Sequence, residues 1–339
     1  MSLSDTRFIL LSKWLSQYFK TDVSLELICG DASFRRYFRV QHLANTYIVS
    51  DSPIELVPIE PFIDVAKAYA KAGLIVPEII AKDDINGFVL QSDLGDDQLL
   101  SYLTEQTVAD YYQKALRLLP KVAQVTATEK SNLPSYDNIF VERELGIFTE
   151  WLLNEYLQLS ISEVEEDVIN NAFQVLINSA VEQPKVGMHR DFHSRNILIN
   201  KNSLALIDFQ DAVVGPVTYD AVSLLRDCYV RWPDEVIDTL KHMHYTLCID
   251  NQLFPKTVNF EQYQRWFDLM GLQRHIKAAG IFARLNLRDG KPGYLKDIPL
   301  TLTYIVDIAA LYPELKDFSH LIQNKVVSAV ALKLDSPVL

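Results

Sequence analysis

Four polar residues with a distinctive spacing lie in the segment 186–212, VGMHRDFHSRNILINKNSLALIDFQDA. His189 and Asp191 are followed by Asn196, and Asp208 comes at the end of the apolar run LALI. Transfer of a phosphoryl group from a nucleotide to a hydroxyl needs a carboxylate that accepts the hydroxyl proton. It also needs an amide oxygen and a second carboxylate to hold Mg²⁺. The segment supplies these groups in that order, as His-x-Asp-x4-Asn followed by Asp after a short hairpin.

This spacing predicts a separate role for each residue. Asp191 is the candidate catalytic base, and Asn196 and Asp208 are the candidate Mg²⁺ ligands. The runs NILI and LALIDF are predicted to form two strands joined by a turn at NKNS, which brings Asn196 and Asp208 together. His189 is expected to support the loop through a hydrogen bond rather than to take part in the chemistry. The competing interpretation is a hairpin whose polar ends have no catalytic role.

Three other polar residues near the motif have less specific patterns. His193 either supports the loop or contacts the substrate, and we retain it as a candidate substrate residue. Asp211 is either an additional metal ligand or a turn residue. Asp220 is expected to cap the helix that begins near it and to tie that helix to the catalytic loop.

The hydrophobic pattern along the chain predicts the α+β class with two domains. Predicted strands lie at 23–28, 34–40, 46–50, 74–80 and 87–94, with helices at 5–20 and 61–72. Further helices are predicted at 97–130, 140–159, 162–181, 219–231, 234–248, 261–285, 300–312 and 315–330. We therefore expect a small β-rich N-terminal domain over 1–95. The larger helical domain, over 96–339, is expected to carry the catalytic loop, the metal ligands and the substrate pocket.

The composition argues against several classes of protein. The 339 residues carry a net charge of −12, and the basic run RRYFR at 35–39 is isolated, which argues against a nucleic-acid partner. Cys29, Cys228 and Cys248 form no CxxC pair and indicate reduced thiols in a cytoplasmic protein. The N-terminal segment is amphipathic rather than a signal peptide, and no apolar run reaches the roughly 18–20 residues that span a bilayer. We expect no membrane association and no obligate protein partner.

The runs DFHSRNILI and LIDFQDA resemble the aminoglycoside phosphotransferase family, the choline-kinase-like branch of the protein-kinase fold. In that family the metal-binding triplet reads Asp-Trp/Phe-Glu/Gln, which Asp208, Phe209 and Gln210 fit. The resemblance implies a bilobal protein-kinase-like fold that uses ATP and Mg²⁺. It also implies that LQSDLGD is the hinge, with Ser92, Asp93 and Leu94 at the nucleotide.

Three further segments narrow the resemblance. GDASFRRYFRV, FQDAVVGPVTYDAVSLLRDCY and GIFARLNLRDGKPGYLKDIP are together similar to the anomeric sugar kinases of cell-wall recycling. This similarity implies ATP-dependent phosphorylation of the C1 hydroxyl of N-acetylmuramate and N-acetylglucosamine. The products are sugar 1-phosphates in peptidoglycan recycling. Because muramate carries a lactyl carboxylate, a cation is expected in the substrate pocket. The candidates are Arg195, Arg284, Arg288 and Lys291.

The chain departs from the protein-kinase pattern at the third strand. Kinases place a Lys there that pairs with the nucleotide phosphates, and the expected position falls at or beside Ser50, but 45–55 contains no Lys. Arg36 and Arg39 on the preceding strand are candidate replacements, although alternation lets only one of them face the nucleotide. Ser33 and the backbone N–H groups of 31–34 are candidates to cap the phosphates.

Two other functions remain open from the sequence. One is a kinase for another small hydroxyl substrate of the aminoglycoside, choline or homoserine type. Pockets for cationic substrates need acidic or aromatic walls, and the arginines of 284–291 argue against them. The other is a pseudokinase or binding module. The missing strand Lys favours it, whereas the intact set of Asp191, Asn196 and Asp208 opposes it.

Overall fold

The computed structural model describes residues 5–28 and 34–335. The chain divides into two compact units, each built from segments that are not continuous in sequence. The sheet unit comprises Met1–Tyr102, Ala127–Asn132 and Arg195–Ala212, and the helical unit comprises Leu103–Thr126, Leu133–Ser194 and Val213–Leu339. The chain therefore passes from the helical unit to the sheet unit directly after Ser194, within the predicted catalytic loop.

The described strands form one large antiparallel sheet and two short strand pairs. They are β1 Ser24–Ile28, β2 Arg36–His42, β3 Asn45–Asp51, β4 Ile79–Asp83, β5 Phe88–Ser92, β6 Lys185–Met188, β7 Ile197–Asn200, β8 Ser203–Leu206 and β9 Val213–Pro216. The five-stranded sheet has the order β1-β2-β3-β5-β4, and β6 pairs with β9 and β7 with β8. The predicted meander over 23–50 is confirmed. The strand predicted at 74–80 begins only at Ile79, since Pro77 has no N–H to donate to a strand ladder.

Helices lie before, between and after these strands along the sequence. They are α1 Thr6–Phe19, α2 Glu60–Lys71, α3 Val108–Leu116, α4 Leu119–Ala123, α5 Asn138–Ile147, α6 Glu163–Glu182, α7 Tyr219–Leu225, α8 Asp234–Asp250, α9 Phe260–Asp289, α10 Ile298–Ala310, α11 Lys316–Leu321 and α12 Ser328–Asp335. Two π-helical segments continue α5 and α11, over Phe148–Tyr156 and Ile322–Val327, and short 3₁₀ segments occupy Leu99–Tyr102, Pro292–Asp297 and Pro313–Leu315. Within the described residues, none of these helices is both long and apolar enough to span a bilayer.

Helix α1 covers one face of the large sheet. Leu11 and Leu15 are fully buried against Phe38, Val49 and Phe88, as the helical spacing of the apolar residues predicts. Burial of each such side chain contributes roughly 1.5–3 kcal/mol to folding. The side chain of Asp5 accepts a hydrogen bond from the N–H of Phe8 and so caps the helix start.

The pairing of β2 with β3 decides which residues lie on the other face of the sheet. Phe38 lies opposite Val49 on the face that α1 covers, and Tyr37 lies opposite Ser50. Because successive side chains of a strand point to opposite faces, Tyr37 and Arg39 belong to the face away from α1.

The hairpin of β7 and β8 packs with the sheet unit, although the sequence analysis places it within the domain 96–339. The backbone N–H of Ile199 donates to the carbonyl of Asp97 at 2.7 Å, and the N–H of Leu206 donates to the carbonyl of Ile75 at 2.8 Å. These bonds are made between segments far apart in sequence, so hydrophobic periodicity carries no sign of them. A two-residue turn joins the strands, with Lys201 in the left-handed region at φ 56°.

The single helix predicted over 97–130 is wrong. The structure contains the 3₁₀ segment Leu99–Tyr102, then α3 and α4, with Pro120 in the first turn of α4. Proline lacks an N–H and is tolerated only in the first turn of a helix, so a continuous helix cannot run through this position. The prediction for 261–285 is confirmed and extended, because α9 continues to Asp289 and ends at Gly290 with φ 64°.

Two of the three cysteines lie in the described part of the chain. Cys228 and Cys248 are free and buried. Burial raises the pKa of the Cys228 thiol to about 12, so this side chain is not a thiolate near neutrality. Cys29 lies outside the described residues.

Candidate active site

Two buried carboxylates, Asp220 in the first turn of α7 and Asp227 just after this helix, hold the loop that carries Asp191. The carboxylate of Asp220 accepts the N–H of His189 at 2.7 Å and the N–H of Arg190 at 2.9 Å. At the other end of the loop, Asp227 accepts the Ser194 N–H at 3.2 Å and its hydroxyl at 2.5 Å. The predicted tie between Asp220 and the loop is therefore confirmed. Asp220 lies in the first turn of α7 rather than at the N-cap, which is Thr218.

The conformation of the loop is unusual at the residue before Asp191. Arg190 has φ 76°, in the left-handed region that side chains with a Cβ rarely adopt. Its guanidinium donates to Glu144 at 2.9 Å and lies over the ring of Phe140 at 4.9 Å. Such backbone strain persists where surrounding contacts fix it, and it is concentrated at functional sites.

Asp191 is half-buried among positive charges of the helical unit. Burial by itself raises the pKa of a carboxyl group, but the charges of Lys277 and Arg190 outweigh this effect and hold the pKa of Asp191 below its usual value. His193 and His189 act in the same direction. The carboxylate is therefore the stable form of Asp191 near neutrality, as an acceptor for a hydroxyl proton requires.

Glu144 organises these cations. Its buried carboxylate accepts from the Lys277 ammonium at 2.7 Å and from Arg190, and it also accepts from the Tyr136 hydroxyl at 2.7 Å and from Gln273 at 3.1 Å. Burial raises its pKa, yet Lys277 and Arg190 together lower the pKa to about 2. A buried carboxylate with four donors is fully satisfied, so it fixes both cations in place.

Asn196 and Asp208 lie together at the open end of the β7–β8 hairpin. The Asn196 amide Nδ2 donates to Asp208 Oδ2 at 3.3 Å, and the Asn196 carbonyl accepts the N–H of Ile207 at 3.1 Å. The predicted proximity of Asn196 and Asp208 is confirmed. Asp208 is exposed with φ 64°, and Gln210 donates to its Oδ1 at 2.9 Å.

The buried ring of Phe209 fixes the position of Asp208. It stacks on Phe62 with centroids 5.1 Å apart and an angle of 8°, and it contacts Tyr69 at 5.5 Å. Both partners belong to α2, so this helix of the sheet unit holds the residue that follows Asp208. The strained backbone of Asp208 is thus anchored on its C-terminal side by aromatic packing.

The chemistry of the Asn196 and Asp208 side chains fits a magnesium ion. Mg²⁺ prefers oxygen ligands and is commonly held by one or two protein groups together with water and substrate phosphates. An amide oxygen and a carboxylate at one hairpin end supply that minimal set. Within 5–28 and 34–335, no group of three or more His, Cys, Asp and Glu side chains is arranged to hold a metal. A site of this kind would therefore depend on nucleotide oxygens for its remaining ligands.

Comparison with known proteins decides the family. The model of the family described as "Phosphotransferase enzyme family" matches residues 24–246, which include the catalytic loop, the hairpin and most of the large sheet. The chain belongs to this phosphotransferase family. It is a small-molecule phosphotransferase, and the resemblance drawn from the sequence is confirmed.

Two relatives of known name share about nine-tenths of their length with this chain. One, from Pseudomonas putida, is 36% identical over 308 residues, which cover 91% of this chain and 90% of the relative. The other, from Pseudomonas aeruginosa, is 38% identical over 295 residues, which cover 87% and 86%. Both are named N-acetylmuramate/N-acetylglucosamine kinase.

Solved structures confirm the predicted protein-kinase-like fold. Plasmodium vivax ethanolamine kinase superposes with a TM-score of 0.62 at 14% identity, covering 87% of this chain and 84% of that protein. An ADP-bound aminoglycoside phosphotransferase superposes with a TM-score of 0.61 at 14% identity, covering 90% and 99%.

The structure groups several of the residues predicted for nucleotide binding. Arg39 donates to Asp93 at 2.7 Å and to Asp96 at 2.7 Å. Ser92 ends β5, where its hydroxyl accepts the N–H of Glu78 at 2.9 Å. The Leu94 carbonyl accepts from the amide of Asn200 at 3.3 Å, which connects the predicted hinge segment to the β7–β8 hairpin.

Arg36 lies apart from this group, on the sheet face that α1 covers. Its guanidinium is ion-paired with Asp5 and with the buried Asp51, and it lies over the ring of Phe38 at 5.6 Å. Arg7 also pairs with Asp51. Ser33, which is predicted to cap the phosphates, lies outside the described residues.

Four of the five residues predicted for substrate binding fall in two places of the helical unit. Arg284 and Arg288 lie near the end of α9, and Lys291 follows the helix. Arg288 is paired with its neighbour Asp289 at 2.8 Å, whereas Arg284 is half-buried. His193 lies in the catalytic loop, where its N–H donates to the Asp191 carbonyl at 3.0 Å.

Aromatic rings connect these two places within the helical unit. The His193 ring meets Tyr229 edge-on at 5.8 Å, Tyr229 contacts Phe282 at 6.3 Å, and Phe282 stacks on Tyr294 at 5.9 Å. Arg195, the remaining candidate, belongs to the sheet unit and is partly exposed.

Sequence reasoning missed the residues that surround Asp191. Lys277 and Glu144 lie 86 and 47 positions from Asp191 along the sequence, and no spacing rule connects them to the motif. Asp227 was also missed as the partner of Ser194. One signal for such partners was present in the sequence. Helix α9 is long and contains many charged and polar residues, several of which are buried. A buried charge needs a partner.

Proposed function

We propose that this phosphotransferase uses ATP and Mg²⁺ to phosphorylate the anomeric C1 hydroxyl of N-acetylmuramate and N-acetylglucosamine. The product is a sugar 1-phosphate, made in the cytoplasm during peptidoglycan recycling. The observation that carries the proposal is the similarity, at 36% and 38% identity over most of both chains, to two kinases named for these sugars. The half-buried carboxylate of Asp191, with a lowered pKa, supports it.

In this proposal the chain's own residues have distinct tasks. Asp191 accepts the proton of the C1 hydroxyl while the sugar oxygen attacks the terminal phosphorus of ATP, and the bond from that phosphorus to the bridging oxygen breaks to release ADP. Asn196 and Asp208 hold the magnesium ion, which neutralises charge on the nucleotide phosphates when bound. Asp220 and Asp227 keep the loop rigid, so that Asp191 keeps one orientation through the reaction.

Other residues are proposed to bind the two substrates. The hinge residues Ser92, Asp93 and Leu94 hold the nucleotide, together with Ser33. Arg39 contributes indirectly, because its hydrogen bond to Asp93 holds this hinge residue in place. On the sugar side, His193 and Arg195 flank the acceptor, and Arg284, Arg288 and Lys291 supply positive charge for the muramate carboxylate. The rings of Tyr229, Phe282 and Tyr294 offer apolar surface on which a sugar face packs.

The test is a phosphorylation assay with ATP and Mg²⁺ against N-acetylmuramate, N-acetylglucosamine, an aminoglycoside, choline and homoserine. The phosphate position is read by NMR. We expect both amino sugars to give 1-phosphates. Asp191→Asn should lower the turnover number by about 10²–10⁴-fold, the usual contribution of a general base. Asp167→Asn, an exposed site on α6, is the control for loss of one charge.

Two results would overturn parts of the proposal. A phosphate on C6, or turnover only with choline, homoserine or the aminoglycoside, would contradict the assigned acceptor. Unchanged turnover in a folded Asp191→Asn variant would contradict the assigned base.

A further inference from the structure

Arg274 of α9 is a buried cation that packs on the first turn of α7, within the helical unit. It is 9% exposed, and its guanidinium carbon lies 5.1 Å from the centroid of the Tyr219 ring. Tyr219 is fully buried and directly precedes Asp220, whose carboxylate binds the catalytic loop. Arg274 therefore contacts the residue next to the carboxylate that holds the loop.

The guanidinium of Arg274 differs from the other cations near Asp191 in its hydrogen bonds. Arg190 and Lys277 both pair with the buried carboxylate of Glu144. In the part of the chain that the structure describes, Nε and Nη1 of Arg274 are buried and have no hydrogen-bond partner. Because a buried charge is costly unless nearby groups compensate it, the charge of Arg274 is expected to act on the anionic groups around it.

Asp220 needs a nearby cation to remain ionised. Burial raises the pKa of Asp220 to about 7, although the N–H bonds from His189 and Arg190 and the charge of Arg274 all act to lower it. The like charge of Asp191 adds to the rise of this pKa. Protonation of Asp220 would place a proton on one of its two oxygens and so weaken its hold on the two N–H groups. Arg274 is the cation whose charge most favours the carboxylate form.

Among the described residues, the other titratable and charged groups around Asp220 supply less of this positive charge. His244 of α8 lines the same small cavity as Asp220, but burial lowers the pKa of His244 to about 3 and leaves its ring neutral. The charges of Lys277 and Arg190 are shared with Glu144. The remaining groups are the Tyr219 hydroxyl and, in the loop itself, the His189 ring and the Asp191 carboxylate.

The two N–H bonds to Asp220 fix a strained part of the catalytic loop. Arg190 has φ 76°, and such a conformation persists only where surrounding contacts fix it. Asp191 follows directly, so a weaker hold on the Arg190 N–H would allow the backbone to relax and would turn the Asp191 side chain. The ionised state of Asp220 is therefore linked to the orientation of the proposed base.

We propose that Arg274 is a positioning residue of this phosphotransferase, whose charge beside the first turn of α7 keeps the Asp220 carboxylate able to hold the catalytic loop. This inference rests on the proposed role of Asp191 as the base. Arg274 acts through Asp220, which fixes the backbone of His189 and Arg190 and so the direction of Asp191. Positive charge is required rather than the shape of the guanidinium, because Nε and Nη1 make no hydrogen bond within the described residues.

The test measures hydrogen exchange of the His189 and Arg190 amides by NMR in wild type, Arg274→Met and Arg274→Lys, between about pH 5.5 and 9.5. After correction for the intrinsic exchange rate, the wild-type amides should lose protection as the pH falls through about 7, where Asp220 becomes protonated. In Arg274→Met this step should lie about one pH unit higher or more, because a nearby opposite charge lowers a carboxyl pKa by roughly 1–3 units. Arg274→Lys keeps the charge and should keep the wild-type step.

Controls separate the charge of Arg274 from its packing. Arg265→Met removes an exposed cation of the same helix, which pairs with Glu314 at 2.6 Å, and should leave the step in place. Asp220→Asn removes the titrating group, so the step should disappear. Arg274→Gln is a second neutral variant that decides the test if Arg274→Met does not fold, and the melting temperature of each sample shows which variants are folded.

Three outcomes would overturn the inference. They are a step at the wild-type pH in a folded neutral variant of Arg274, an equal shift in Arg274→Lys, and no step in the wild type. In the turnover assay, kcat of Arg274→Met should fall over the pH range of the shifted step, with KM for ATP within about twofold of wild type. The exchange measurement needs no substrate. Absence of amino-sugar phosphorylation by the wild type would therefore overturn the proposed function separately, whatever the amides show.

Discussion

At the scale of single residues, the positive charges around Asp191 control its ability to accept a proton. Lys277 and Arg190 lower the pKa of Asp191 against the opposing effect of burial. Both cations are in turn held by Glu144. The arrangement keeps the carboxyl group of Asp191, the proposed base, ionised. The protonation of the proposed base therefore depends on Lys277, which lies outside the motif, as well as on Arg190 within it.

Removing the charge of Lys277 is expected to shift the pH dependence of the reaction. In Lys277→Met the pKa of Asp191 rises, because the largest charge that favours its carboxylate form is lost. Since the base works only when deprotonated, the acidic limb of the kcat/KM profile moves to higher pH. Lys277→Arg keeps the charge and should leave the limb in place. An unchanged acidic limb in a folded Lys277→Met variant would contradict this account.

Arg284 is expected to distinguish the two sugars. Burial and the neighbouring Arg288 lower the pKa of Arg284, and within the described part of the chain its Nε has no hydrogen-bond partner. Binding of an anion next to the Arg284 guanidinium is thus favoured. Arg284→Met should raise KM for N-acetylmuramate about 10- to 100-fold, the loss of a charge-assisted hydrogen bond. N-acetylglucosamine, which has no lactyl carboxylate, serves as the matched control and should keep its KM. Equal increases for both sugars would exclude a carboxylate contact.

At the scale of elements, α9 is the structural centre of the helical unit. It supplies Lys277 to the surroundings of Asp191, the proposed base, and Arg284 to the proposed substrate pocket. Gly280 lies between them, where the helix passes very close to the segment that joins α5 to its π-helical continuation. A Cβ at Gly280 would lie 2.6 Å from the carbonyl oxygen of Ile147 and 2.7 Å from the backbone nitrogen of Phe148. This contact sets the distance of α9 from its neighbour.

Gly280→Ala is therefore expected to destabilise the protein. Backbone atoms cannot move aside as a flexible side chain does, so the overpacking should cost about 1–3 kcal/mol or more of unfolding free energy. Gly146→Ala in α5 is the matched control, because no atom lies within 4 Å of its added Cβ. That substitution should instead stabilise by about 0.5–1 kcal/mol through helix propensity. Urea unfolding measures both, and equal effects would argue against the close packing of α9.

At the scale of the whole molecule, an acidic chain with a net charge of −12 is proposed to bind two anionic substrates. Local cations must therefore supply the attraction, since the overall charge repels anions. The division of the chain adds a second constraint. The proposed base belongs to the helical unit and the proposed metal ligands to the sheet unit, and the chain changes unit between Ser194 and Arg195. The two parts of the predicted catalytic loop thus belong to different compact units.

Nucleotide with metal is expected to stabilise the protein against heat. A ligand at 100 times its Kd adds about 2.7 kcal/mol to the free energy of unfolding. We expect ATP with Mg²⁺ to raise Tm with the logarithm of the ligand concentration above Kd, and EDTA to remove much of this effect. Asp208→Asn should still bind ATP but should lack the magnesium-dependent part of the rise in Tm. Asp167→Asn should behave as wild type. Equal protection by ATP with and without EDTA would contradict a metal site at Asp208.

The sequence by itself determined which residues of the central segment are candidates for the proposed chemistry. Asp191, Asn196 and Asp208 are read from their spacing because one short loop and one hairpin connect them, and covalent geometry limits where they can lie. The meander of β1 to β3, the amphipathic character of α1 and the helical character of the second half follow from hydrophobic periodicity in the same way. Local pattern was sufficient wherever neighbours in sequence are neighbours in space.

The tertiary structure alone decided which charges act on these groups. Lys277 and Glu144 reach the base through helices distant in sequence, and the strands β6 and β9 pair across more than twenty residues. Arg35 lies in the same basic run as Arg36 and Arg39, yet it is buried and contacts Ser52, Tyr37 and Phe62, whereas the other two arginines pair with aspartates. Electrostatic effects depend on distance and burial, which alternation along a strand does not reveal.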